Sequence, residues 1–257
     1  MTGQTDSPLA RAFRASPNHG ERMGGHGIDC VILHYTGMPT GSGALKRLCD
    51  EAAHVSAHYF VEEDGTILQL VPEARRAWHA GVSSWRGETD LNSGSIGIEI
   101  VHPGHDGGLP PYPPAQIEAV IALCRDISAR QGIRPERVLA HSDIAPGRKI
   151  DPGENFPWDT LHAGRVGHWV PPAPVTDGRG LAPGDSGARV ATLRADLAAY
   201  GYGIAPGEDY DAETRTTVAA FQLHFRPARV DGIADTSTLD TLRRLLDALP
   251  GYSAAAV

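Results

Sequence analysis

His34, His141 and Asp151 carry the donor types of a metal site that keeps one position open. His34 closes the apolar run V-I-L-H and is followed by a polar loop. His141 closes V-L-A-H and opens a loop that contains Asp151. Two imidazoles and a carboxylate leave the fourth position of a tetrahedral ion for water, the arrangement of catalytic zinc. A ligand at a strand end is held by a rigid scaffold while its ring faces a cleft built from loops. Pro152 and Gly153 follow Asp151 in a turn that would aim its carboxylate back at the ion. Taken singly, His34 reads more readily as a hydrogen-bonded core histidine and Asp151 as a turn former. Spacing alone does not decide between these readings.

Glu99 interrupts the otherwise apolar segment S-I-G-I-E-I-V. A carboxylate there must be desolvated, paired or aimed into a cleft, and burial raises its pKa toward the range of a general base. A salt-bridged structural glutamate fits the same pattern. Lys149 stands two residues before Asp151, so an extended chain points both side chains to one side. A cation beside a metal favours an oxyanion as it develops; a solvated surface lysine is the plainer alternative. Other chemistries fit less well. His54 and His58 have the i, i+4 spacing of a helical metalloprotease motif, but Val55 stands where that motif needs glutamate. The chain has no Cys-x-x-Cys, and Ser83-Ser84 and Ser186 lie in no strand–turn–helix elbow of a serine hydrolase. G-H-G and G-S-G-A lack the phosphate-loop lysine or the full dinucleotide fingerprint.

The elements that must position these residues alternate between strand and helix. I-D-C-V-I-L-H-Y-T reads as a buried strand, followed by a Gly-rich loop to Gly43 and a short helix, A-L-K-R-L-C-D. S-A-H-Y-F-V-E-E-D-G-T-I-L-Q-L-V-P reads as a hairpin turning at Asp64-Gly65. S-I-G-I-E-I-V is a core strand. Pro114 opens an amphipathic helix with apolar residues at 117, 120, 121 and 124, which Gly132 ends. V-L-A-H-S-D-I starts as a last short strand and runs into a Pro/Gly-rich loop over 145–157. The expected fold class is therefore α/β over residues 26–168, preceded by a polar, flexible arm over 1–25. Residues 169–180, rich in Pro and Gly, read as a semi-extended linker. Residues 181–250 follow with three helical stripes: Val190, Leu193 and Leu197; Val218, Phe221 and Phe225; Leu239, Leu242 and Leu246. Asp185-Ser186 and Asp211 precede helices as caps.

Composition bounds the partners. The 257 residues carry 23 basic against 31 acidic side chains, a net charge of −8 that disfavours nucleic acid. No apolar run approaches the roughly 20 residues needed to span a bilayer. The three cysteines, Cys30, Cys49 and Cys124, are odd in number and widely spaced, which fits a reducing compartment better than a disulfide framework. The opening segment M-T-G-Q-T-D-S-P-L-A-R has no apolar core of a secretory signal. Together these point to the cytoplasm, with the periplasm as the alternative if a signal segment has been trimmed away.

In combination these segments resemble the zinc-dependent N-acetylmuramoyl-L-alanine amidases of the amidase-2, phage-lysozyme-like family, closest to the bacterial branch of cell-wall turnover and recycling. The resemblance runs through V-I-L-H-Y-T, S-A-H-Y-F-V, A-W-H-A-G-V-S-S-W-R-G, L-N-S-G-S-I-G-I-E-I and A-H-S-D-I-A-P-G-R-K-I-D-P-G-E-N-F-P-W, roughly residues 28–160. The last block is the most specific, with histidine followed by R-K-x-D-P-G. Residues 181–250, with P-G-D-S-G-x-x-V and D-A-E-T-R-x-x-V-x-x-F-Q, resemble the common three-helix peptidoglycan-binding domain. The resemblance implies a mixed central sheet flanked by helices, and zinc held by His34, His141 and Asp151. It gives Glu99 the role of general base and Lys149 that of oxyanion partner. The reaction implied is hydrolysis of the amide between the lactyl group of (anhydro)N-acetylmuramic acid and L-alanine, on muropeptides or peptidoglycan. It also places Trp78, His79 and Trp85 along a substrate groove and sets His58 and His79 near the zinc; Arg86 has the guanidinium to meet a peptide carboxylate bidentately, and Tyr35, directly after a proposed ligand, either lines the cleft or packs. Non-catalytic peptidoglycan recognition proteins share this fold, but typically lack a ligand or the catalytic pair. All five positions are filled here.

Overall fold

The computed structural model describes residues 4–25 and 27–250. Eight strands occur among them: β1 (Ala12–Phe13), β2 (His19–Glu21), β3 (Cys30–Tyr35), β4 (Tyr59–Val61), β5 (Ile67–Gln69), β6 (Arg75–Ala77), β7 (Ser95–Ile100) and β8 (Val138–Ala140). The helices are α1 (Gly41–Leu48), α2 (Leu91–Gly94), α3 (Pro114–Gln131), α4 (His141–Ile144), α5 (Trp158–Ala163), α6 (Ala188–Tyr200), α7 (Ala212–Phe225) and α8 (Thr236–Asp247). Six strands form one mixed sheet in the order β1-β5-β4-β7-β3-β8. Only the β4–β5 hairpin is antiparallel; β4, β7, β3 and β8 run parallel through the centre. β2 and β6 make a separate antiparallel ribbon.

Side chains alternate across a sheet with a period of two, and here the two faces have different covers. Val31 and Leu33 of β3, with Ile96, Ile98 and Ile100 of β7, bury against Ile117, Val120, Leu123, Cys124 and Ile127 of α3. The opposite face presents Cys30, Ile32 and then His34 on β3, in register with Ser95, Gly97 and Glu99 on β7. The first part of that face, with Leu139 of β8, is covered by α6, α7 and α8: Cys30, Ile32, Leu139 and Ile144 share one core with Val190, Leu193, Val218, Phe221 and Leu242. On the β4 side Phe60 packs with Ala44 and Leu48 of α1. His34 and Glu99 are left between these covers, at the carboxyl edge of the parallel strands, where ligands bind in open α/β sheets.

Three expectations need correction. The segment before Gly25 is not a free arm: β1 pairs in parallel with β5 at the sheet edge. Ser16 donates to Leu48 O at 2.5 Å, and Asn18 Nδ2 donates to Asp50 O and Val55 O. Its polar side chains bind backbone carbonyls at the end of α1 and in the loop after it instead of water, so polarity alone misreads it. Helix α1 starts at Gly41, not after Gly43, because the Thr40 hydroxyl accepts from Gly43 N and caps it. Asp185 caps no helix: it accepts from Ala182 N at 2.9 Å, and Gly187 stands at the start of α6. Asp211 does cap α7, accepting from Thr214 N, and Asp235 caps α8 in the same way. Residues 169–180 form no regular element but are tied to α8 through Ala173, whose N–H bonds Thr241 and whose carbonyl accepts from Ser237.

Candidate metal centre and catalytic pair

His34 ends β3, and His141 begins α4 directly after β8, the strand paired with β3. The loop from α4 returns Asp151 beside them, and Ser142 N–H donates to Asp151 O at 3.0 Å to close the return. Three donor atoms converge. His34 Nδ1 lies 2.9 Å from His141 Nδ1 and 3.2 Å from Asp151 Oδ2, and His141 Nδ1 lies 3.0 Å from the same oxygen. All three residues are buried, and they form a His/His/Asp group able to hold one ion. Bonds of about 2.0–2.1 Å in tetrahedral geometry set donors somewhat over 3 Å apart, so this triangle is close to the size an ion requires.

The proton positions also follow from the neighbours. Leu91 O can only accept, so the Ser95 hydroxyl donates to it and accepts from His79 Nε2–H at 3.3 Å. His79 Nδ1 then accepts from His34 Nε2–H at 3.0 Å, which leaves the His34 Nδ1 lone pair facing the triangle. Ala80 O, likewise an acceptor, takes His141 Nε2–H at 3.1 Å and leaves His141 Nδ1 free in the same sense. Metal-bound imidazoles are oriented by such outer hydrogen bonds. Asn92 Oδ1 holds the main-chain N–H groups of both His79 and Ala80. His79 lies flat on Gly97, where a Cβ would meet its ring at 2.4 Å.

Electrostatics favour the ligand state. Burial, then the neighbouring His141, push the His34 imidazole down to about 4. Burial and the adjacent His34 hold His79 well below the usual range. Burial would raise the Asp151 carboxyl, but His141 and His34 more than offset it, and the group stays far below ordinary carboxylates. At neutral pH His34 is therefore a neutral imidazole and Asp151 a carboxylate, the states that metal binding requires.

Glu99 is the register partner of His34 on the adjacent strand, so it faces the same cleft. Loss of hydration, with Asp151 as a second cause, raises its carboxyl well above the usual value; Lys149 works against this. Its Oε2 is sealed and has no hydrogen-bond partner within the protein. Lys149, half-buried, lines the same cleft, and its charge is felt at Glu99 and His34.

The remaining anticipated residues divide. Tyr35, Trp78 and His79 line the cleft. The Tyr35 hydroxyl bonds His105 Nδ1 at 3.0 Å, and His105 Nε2 bonds Glu154 at 2.9 Å. His58 is fully buried behind the cleft, where its Nδ1 accepts from Gly97 N–H and its Nε2 meets Arg22 and Arg75 O. It fixes β7 and does not face the cleft. Trp85 is also fully buried, edge-on to Tyr200 and Tyr202 of the C-terminal unit. Arg86 pairs its N–H with Gly201 O and its guanidinium with Tyr200 O. The structure therefore puts Trp85 and Arg86 at the junction of the two units, outside the groove anticipated for them. Conversely, Met38, Arg47 and Val55 line the cleft without having been anticipated. The i, i+4 pair Ala44 and Leu48 marks the inner side of α1, and Arg47 flanks it.

A family model of N-acetylmuramoyl-L-alanine amidase matches residues 24–154, half of the chain and all five residues of the metal and Glu/Lys constellation. The chain belongs to this amidase family. A peptidoglycan binding domain model matches residues 186–242. The amidase AmiD of Escherichia coli is 42% identical over 233 residues, covering 86% of this chain and 83% of AmiD. The 1,6-anhydro-N-acetylmuramyl-L-alanine amidase AmpD of Enterobacter cloacae is 43% identical over 165 residues, covering 58% of this chain and 86% of AmpD. Among solved structures, AmiD in complex with anhydro-N-acetylmuramic acid-L-Ala-D-gamma-Glu-L-Lys superposes with a TM-score of 0.74 at 40% identity, covering 88% and 91% of the two chains. AmpDh3 of Pseudomonas aeruginosa with anhydromuramic pentapeptide gives 0.73 at 34%, covering 92% and 96%. Both domains of the chain thus have amidase relatives that span them together.

Proposed function

We propose that this amidase hydrolyses the amide bond between the lactyl group of (anhydro)N-acetylmuramic acid and L-alanine, with zinc at His34, His141 and Asp151, in peptidoglycan recycling. The observation that carries the reading is the convergence of two oriented imidazole lone pairs and a carboxylate next to a desolvated glutamate. Zinc, when bound there, supplies Lewis acidity that polarises a carbonyl and acidifies a water. Glu99, with a raised carboxyl pKa and a side chain that lines the cleft, takes the proton of the attacking water and returns it to the leaving amine. Lys149 places its ammonium at the same cleft and stabilises the oxyanion that develops. Trp78 offers an aromatic wall to the sugar or peptide, and Arg47 a cation for a stem-peptide carboxylate. The substrate anhydro-N-acetylmuramic acid-L-Ala-D-gamma-Glu-L-Lys in AmiD and the anhydromuramic pentapeptide in AmpDh3 support the anhydro form as one substrate.

The test is mass spectrometry of the products from a disaccharide-anhydro tetrapeptide, with and without a chelator. Free tetrapeptide and intact disaccharide, lost on chelation and restored by zinc, are expected. No cleavage of this substrate or of intact sacculi by zinc-loaded protein would leave a recognition protein on the same fold.

A further inference from the structure

The turn that carries His141 is held from two sides. On one side it continues β8 into the sheet; on the other it packs against α7 of the C-terminal unit. Asp143, two residues after the ligand, is completely buried, and its carboxylate accepts three hydrogen bonds. Ala140 N–H donates to Oδ2 at 2.8 Å and fixes the start of the turn. The other two donors come from the C-terminal unit: Tyr202 OH to Oδ1 and His224 Nδ1–H to Oδ2, both at 2.6 Å.

These donors are themselves fixed. The Tyr202 ring meets Trp85 edge-on at 5.0 Å, and the His224 ring stacks between Trp158 at 3.6 Å and Phe225 at 3.7 Å. The loop after the turn touches α7 as well. Gly147, at φ +74°, leaves 3.0 Å between the place of a Cβ and the Thr216 side chain. The same loop leads to Lys149 and Asp151. A tethered wall-binding module would make none of these contacts.

We propose that the C-terminal unit is a positioning element of the metal site: Tyr202 and His224 clamp Asp143, and so set the aim of His141 and the return of Asp151. The inference rests on reading His34, His141 and Asp151 as a metal centre, and it adds a task for the unit beyond wall binding. A buried carboxylate without its partners must find water or move. Removing both donors therefore displaces the turn and weakens metal retention, even for a substrate too small to need a wall-binding module. Tyr202 and His224 are positioning residues; neither lines the cleft.

The test uses the full chain with Tyr202→Phe and His224→Phe combined, which keeps both rings and removes both donors. Zinc affinity is read by competition with a chromophoric chelator, beside kcat and KM on a small soluble muropeptide. The expected result is zinc affinity lowered about 10-fold or more, the scale of losses from outer partners of metal ligands, with kcat reduced and KM unchanged. Ser237→Ala is the control, because it removes a buried 2.6 Å hydrogen bond of α8 to Ala173 O, remote from Asp143. Its zinc affinity should equal that of the parent. Parent-like zinc affinity in the double variant, or an equal loss in Ser237→Ala, would overturn the proposal. If the double variant does not fold, Tyr202→Phe alone is held to the same two outcomes. A parent that binds zinc but cleaves no muropeptide would defeat the amidase reading and leave the clamp standing, since zinc affinity reports on it separately.

Discussion

At the residue scale, the donor set was legible because each of its members is marked locally. His34 and His141 are polar residues at the ends of apolar runs, Glu99 interrupts one, and Asp151 heads a Pro-Gly turn. Strand ends are where a sheet delivers side chains to a cleft, so type and position together point to chemistry. The support behind the donors is not local in sequence. His79 stands 45 residues from His34 and 16 from Ser95, and no spacing rule links them. In W-H-A-G it looks like one more groove residue; only the proton relay from Leu91 O shows it fixing the His34 tautomer. Replacing it by Phe keeps a ring on Gly97 but removes the acceptor for His34 Nε2–H. Zinc affinity of His79→Phe is expected to fall by about 10–100-fold, measured by chelator competition. An unchanged affinity would show that His34 needs no such partner.

At the element scale, the long strands and α3 follow from periodicity, and the β4–β5 hairpin from its Asp-Gly turn. β1, β2 and β6 are two or three residues long, too short to carry a period, and they form because backbone far along the chain pairs with them. The site depends on the parallel register of β3 and β7, which puts His34 opposite Glu99 and Ile32 opposite Gly97. Gly97 serves neither turn nor bend; it leaves room for His79. A methyl there meets the imidazole carbons and nitrogen at 2.4–2.6 Å. Gly97→Ala is expected to cost about 1–3 kcal/mol of stability, as overpacking does, and to weaken zinc binding in the same direction as His79→Phe. Denaturant midpoints and chelator competition on the one variant check both. A tolerated alanine with full zinc affinity would mean that the ring has another resting place.

At the scale of the whole molecule, the three helical stripes of the C-terminal unit were readable, but not the surface they meet. Cys30, Ile32 and Leu139 look like generic core, and Trp85 like a groove aromatic; all four belong to one core shared by both units. The buried histidines give the molecule a pH signature. His34 and His58 lie near 4 and 3, and His79 is also strongly lowered, each chiefly by burial. Unfolded, these groups take up protons near 6.5. As pH falls from 6.5 toward 4, the unfolded chain gains protons that the folded chain refuses, so stability is lost in that window. Glu99, Glu62 and Asp196, raised in the fold, act with the opposite sign, but His19, His102 and His168 are lowered as well, so the imidazoles outnumber them. The metal-free protein is expected to lose about 1.4 kcal/mol per pH unit for each net proton, seen as urea midpoints that fall from pH 7 to pH 5. Midpoints that hold or rise over that range would contradict the assignment of these imidazoles as neutral and sealed.

A candidate metal centre and a separate candidate base share one cleft. This division of roles is tested most directly on Glu99→Gln, by measuring bound zinc and turnover on the same preparation. The expected result is one equivalent of zinc with affinity near that of the parent, and kcat lower by about 10²–10⁴-fold, the contribution of a positioned base. Zinc lost together with activity would make Glu99 a structural support of the ligands, and turnover close to the parent rate would place the base elsewhere.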